Sequence, residues 1–100
     1  MKELIIYGSS DDLFEIDGDI QDEFGVYSGN AVKLTASSGA MLVTASYGEY
    51  ASTWSIGVAP VDEDRPIPEW PMKYRIAENG YSAALIIQCP DDVTVEEIHE

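Results

Sequence analysis

Histidine and cysteine, the side chains most used for nucleophilic and metal chemistry, occur once each in this 100-residue chain, at His99 and Cys89. A single cysteine excludes an intramolecular disulfide. Nucleophilic catalysis needs a base within reach of the nucleophile. Here the histidine sits beside the C-terminus, and Cys89 directly precedes Pro90 at a strand end. Cys89 therefore reads as a small buried hydrophobe. The chain also lacks G-x-S-x-G, P-loop and G-x-G-x-x-G motifs, so no enzyme is expected and no cofactor is called for. Basic residues are scarce, with 5 Lys and Arg against 19 Asp and Glu, and none falls between Lys2 and Lys33. The net charge of −14 repels nucleic acid and anionic membranes and favours a basic partner. No apolar run approaches the roughly 20 residues of a membrane span. The opening MKELIIYGSS is too short in its apolar part for a signal-peptide core. These features lead to the expectation of a soluble cytoplasmic monomer.

Enough apolar residues are present to fold. At 45% hydrophobic and 10% aromatic, the chain is unlike a disordered acidic tail. Its length is that of one domain, residues 1–100.

The most distinctive stretch is DDLFEIDGDIQDE, residues 11–23. Its seven acids are Asp11, Asp12, Glu15, Asp17, Asp19, Asp22 and Glu23. Phe14, Ile16 and Ile20 fall at even positions with Gly18, and Glu15, Asp17 and Asp19 alternate with them. This is a strand pattern over 14–20, with an apolar underside and a row of carboxylates facing water. Ser9 and Asp12 also fit a capping box, which allows one helical turn at 10–13.

Short strand signals fill the remainder. Leu4–Tyr7 is an apolar run that reads as a strand buried on both faces. Residues 21–29 read as a turn and irregular connection. Ala31–Ala36 and Met41–Ser46 form a hairpin around Ser37-Ser38-Gly39, with a loop of three or four residues. After a turn at Tyr47-Gly48-Glu49, Tyr50–Val58 places Tyr50, Ser52, Trp54, Ile56 and Val58 on one face and completes a meander. Residues 59–71 hold four of the five prolines and the cluster Asp62-Glu63-Asp64. Proline lacks the amide proton a central strand needs, so this is an irregular loop, anchored by Ile67 and Trp70. Met72–Ala77 and Tyr81–Gln88 flank Glu78-Asn79-Gly80, the strongest hairpin signal in the chain, and the second of them is central. Residues 91–100 read as a closing strand or a frayed helical turn.

Six to eight short strands with at most one or two helical turns define a mainly β chain. Hairpin order argues for antiparallel pairing in a small antiparallel β-sandwich or partly open barrel, with α+β as the alternative.

Clustered acids around Gly18 are also candidate metal ligands. An EF-hand with Gly18 at its sixth position puts Leu13 first and Phe24 twelfth, which fails at both ends. A surface Ca²⁺ site from Glu15, Asp17 and Asp19 stays open as the lesser reading, and no metal is assigned. The single E-x-x-H of Glu96 and His99 lacks the second copy that a di-metal bundle requires.

As a surface, the row is better matched to a protein partner. Same-face residues on a strand lie about 6.6 Å apart, and two carboxylates at that distance repel in water by only about 0.6 kcal/mol. Their fields add, because the screening length is about 8 Å at physiological salt. A DNA strand carries one phosphate per about 3.4 Å of axis, so the row has about half that density. Its partner-binding residues would be Asp11, Asp12, Glu15, Asp17, Asp19, Asp22 and Glu23, joined by Asp62, Glu63 and Asp64. The plain alternative is a solvated face that keeps the chain soluble. Against it stand the exclusion of bases from a long run and the second acidic cluster on a proline-stiffened loop.

The segment Ser10, Asp11, Asp12, Leu13, Glu15, Gly18, Asp19, Glu23 and Phe24 resembles an SDDL-x-E-x-x-GD-x-x-x-EF pattern of small phage and prophage proteins. Size and acidity are also similar to small anti-CRISPR proteins of the kind directed at a type I-C system. The likeness covers the first quarter of the chain. It implies a phage-encoded inhibitor acting in the host cytoplasm on a CRISPR surveillance complex. Blocking of target DNA by mimicry is inferred from the charge. An acidic immunity protein or antitoxin capping a basic nuclease, or a phage structural or assembly protein, are the alternatives.

Overall fold

The computed structural model of the chain describes residues 1–9, 20–48, 53–76 and 82–99. Among these residues there are eight strands and no helix: β1 (Lys2–Ser9), β2 (Asp22–Gly25), β3 (Ala31–Ala36), β4 (Gly39–Gly48), β5 (Thr53–Ala59), β6 (Met72–Ile76), β7 (Ser82–Cys89) and β8 (Thr94–Ile98). They form two four-stranded sheets, ordered β2-β1-β7-β6 and β5-β4-β3-β8. Among the described residues no strand is shared between the sheets, so the architecture is that of a small β-sandwich.

Side-chain alternation explains the core. Val32 and Leu34 of β3, Met41, Val43 and Ala45 of β4, and Trp54 of β5 point inward and are buried. They meet Leu4 and Ile6 of β1 and Ala83, Leu85 and Ile87 of β7 from the other sheet. Ile5, on the opposite face of β1, is buried as well, as expected of a wholly apolar run. Each such side chain contributes about 1.5–3 kcal/mol on burial. β7 is internal, between β1 and β6, as its apolar character on both faces required. The meander β3-β4-β5 is antiparallel throughout.

Several local expectations are corrected. Asp22–Gly25, expected within an irregular connection, is an edge strand that runs parallel to β1 with Asp22 opposite Leu4. Inward-facing Phe24 holds it on the core, and Val26 N–H donates to the Tyr7 carbonyl at 2.7 Å. Pairing is therefore not antiparallel throughout. A parallel neighbour needs a crossover of about a dozen residues rather than a hairpin, and local patterns do not reveal one. The β3–β4 loop is two residues, Ser37-Ser38, because Ala36 already pairs with Gly39. Gly39 has φ of +149°, which glycine alone adopts readily. Tyr47 and Gly48 belong to β4 and not to a turn, and Ala59 belongs to β5. Residues 94–98 form a strand on β3, not a helical turn. Ile20 lies in no strand. The remainder of the charged strand expected at 14–20, the helical turn at 10–13 and the Asn79-Gly80 turn fall outside the described residues.

Candidate functional site: one acidic end of the sandwich

Strand directions decide where the charged loops gather. β1 begins opposite the end of β7, where Lys2 pairs with Cys89. β8 begins opposite the end of β3, where Thr94 pairs with Thr35. The short link from Cys89 to Thr94 joins these two positions, so they belong to the same end of the sandwich. The two-residue turn of β3–β4, the start of β2 and the loop of residues 60–71 lie there too.

Neighbouring contacts run across this end. Lys2 Nζ lies 3.4 Å from Asp22 Oδ2. The N-terminal ammonium lies 3.5 Å from Asp91 Oδ1. The Ser37 backbone N–H donates to Asp92 Oδ2 at 3.0 Å. Hydrogen bonds from the Ser37 side chain and backbone hold the Asp92 carboxyl below the ordinary aspartate range. Trp70 Nε1 donates to Ser38 Oγ at 3.2 Å and is itself buried in the core. Arg65 Nε lies 4.0 Å from Asp62 Oδ2, and the Arg65 N–H donates to the Asp62 carbonyl. The proline loop is thus pinned by Trp70 and Ile67, as expected, and it holds Asp62, Glu63 and Asp64 exposed.

Carboxylates at this end include Asp22, Asp62, Glu63, Asp64, Glu69, Asp91 and Asp92, with Glu3 beside them. The N-terminus, Lys2, Arg65 and Lys73 are cationic groups of the same end. The ion pairs are solvent-exposed, at a contribution of about 0–1 kcal/mol each. The end therefore stays negative, and its charges remain available to a partner. Asp22 and Glu23 are adjacent on a strand, so they point to opposite faces. Asp22 belongs with the acidic end, and Glu23 follows it on the outer face of β2, where it is exposed. Asp11, Asp12, Glu15, Asp17 and Asp19 lie outside the described residues.

Asp91 and Asp92 were missed by sequence reasoning. Their only local signal was a Pro-Asp-Asp turn, and their position beside the N-terminus and the β3–β4 turn depends on long-range pairing. The two reactive side chains stand apart in environment. Cys89 is buried, its thiol is pushed up by burial, and Sγ contacts the Lys2 carbonyl. His99 is exposed beside Glu97. No group of three or more metal-ligating side chains occurs among the described residues, and no helix there is long and apolar enough to cross a membrane.

No known protein family, curated protein or solved structure matches this chain. The fold and its charge define the class of molecule: a small, acidic, mainly antiparallel β-sandwich.

Proposed function

We propose that this chain is a non-enzymatic acidic protein that binds a basic, nucleic-acid-binding surface of a partner protein and denies that surface to DNA. The supporting observation is the gathering of Asp22, Asp62, Glu63, Asp64, Asp91 and Asp92 at one end of the sandwich. Fixed carboxylates engage Lys and Arg residues otherwise used for phosphates, and their summed field speeds encounter and makes it salt-sensitive. In its specific form, carried by the sequence resemblance, the partner is a CRISPR–Cas surveillance complex in the cytoplasm of a phage-infected host, and the chain is a DNA mimic that blocks target binding.

The test is displacement of target DNA from a purified surveillance complex. Wild-type protein is expected to compete with DNA, with competition weakening as salt rises. A fold-checked variant carrying Lys at Asp62, Glu63 and Asp64 is expected to lose at least tenfold in affinity, and one carrying Lys at Glu15, Asp17 and Asp19 to do the same. Unchanged competition by both variants would reduce the acids to a solubility device. Capture of a basic nuclease in place of CRISPR subunits would move the assignment to an immunity protein or antitoxin.

A further inference from the structure

Among the described residues four strands lie at sheet edges: β2, β6, β5 and β8. An edge exposes unpaired backbone N–H and C=O groups, and proteins protect such edges with charge, proline or brevity. β2 is four residues long and carries Asp22 and Glu23. β6 carries Lys73 and Arg75. β8 carries Glu96 and Glu97. β5, with sequence TWSIGVA, has no charged residue and no proline over seven residues. Among the described residues its one backbone neighbour is β4. Its inward side chains Ile56 and Val58 join the core yet stay partly exposed, whereas Val43 of β4 is fully buried.

We propose that β5 is a self-pairing edge: two copies of this chain join β5 to β5 in antiparallel fashion about a two-fold axis, giving one continuous eight-stranded sheet. The occupant follows from charge. Approach of two −14 chains is opposed wherever acids meet acids. β5 is the edge strand that itself carries no charge, so a β5–β5 ladder sets no carboxylate of one strand against one of the other. A basic partner is drawn to the carboxylates elsewhere and gains nothing from an uncharged strand. An identical neutral edge supplies the matching backbone groups and covers Ile56 and Val58. This interface replaces the monomer expected from composition, and it is independent of the partner proposed above, since it uses none of the acidic residues.

Gly57 provides a clean test. A Cβ built there meets nothing within 4 Å, so Gly57→Lys is accommodated by the fold while placing like charges near the two-fold axis. Thr44, its partner on β4, is exposed on an internal strand, so Thr44→Lys charges the sheet away from its edge. Light-scattering mass is measured over a concentration series at low and high salt. Wild type is expected to rise from 11.0 kDa toward twice that mass, and to do so at lower concentration as salt screens repulsion. Thr44→Lys is expected to match it, while Gly57→Lys stays at the mass of a single chain. If circular dichroism shows Gly57→Lys unfolded, Ser55→Lys, exposed on the same strand, takes its place with the same expectation. A wild type that stays at 11.0 kDa throughout, a β5 variant that still doubles in mass, or loss of the dimer in Thr44→Lys overturns the proposal.

Discussion

Each end of the sandwich is plugged by a tryptophan, and the two are treated differently. At the acidic end, Trp70 is 8% exposed, and its indole N–H donates to Ser38. At the opposite end, Trp54 is 6% exposed, and its indole N–H has no partner among the described residues. Tyr27 meets Trp54 edge-on at 6.1 Å and Tyr47 lies tilted at 5.5 Å, with these tyrosines 49% and 41% exposed. Among the described residues, one plug is anchored by a directed bond and the other by ring contacts. The loop that carries the acids is the one with a fixed anchor, which suits a surface whose charges must keep their spacing.

The largest expected effect comes from deleting each plug. Trp70→Ala and Trp54→Ala each cost about 3–5 kcal/mol, read from urea or thermal unfolding. Partner binding should fall only in folded Trp70→Ala, because only that loop loses its anchor. A smaller loss is expected from Gly8→Ala. Its Cβ would come within 2.7 Å of the Ala45 Cβ and 2.8 Å of the Trp54 ring, and overpacking of this kind costs about 1–3 kcal/mol. Denaturant midpoints would show it, and a wild-type midpoint would mean that the Trp54 end is loosely packed. Smaller again is the contrast between Trp70→Phe and Trp54→Phe. Both remove similar volume, yet among the described residues only the first breaks a hydrogen bond, while the second removes a donor with no partner there. Trp70→Phe should be the more destabilising by about 1–2 kcal/mol, and equal losses would erase the distinction between the ends.

The smallest effect concerns pH. The Asp92 carboxyl is held below its ordinary range by Ser37. A depressed folded value means that the unfolded chain binds more protons in the acid range. The contribution is therefore complete above the ordinary aspartate value and is lost as pH falls through the folded one. Asp92→Asn should lower the melting temperature slightly at neutral pH and converge with wild type at the acid end, which flattens the acid limb of a melting-temperature profile.

Strand identity was legible wherever alternation was strong. Ala31–Ala36 falls on β3, and Trp54, Ile56 and Val58 share the inward face of β5. The core position of Leu85 and Ile87 could be read from an apolar run too long for a surface strand. β2 was not legible, because Asp-Glu-Phe-Gly has no strand signature and is held by pairing with residues far earlier in the chain. Of the site, Asp62, Glu63 and Asp64 on a proline-stiffened loop were found from sequence. The recruitment of Asp91 and Asp92 was not.

By itself, the sequence determined a mainly β domain, strongly negative charge, a buried cysteine and an acidic proline loop. Each depends on composition or on patterns a few residues long. The tertiary structure decided which strands lie at edges, which loops share an end and which indole finds a partner. Those outcomes rest on pairings between distant segments, such as Lys2 with Cys89 and Ser37 with Asp92, and no local periodicity encodes them.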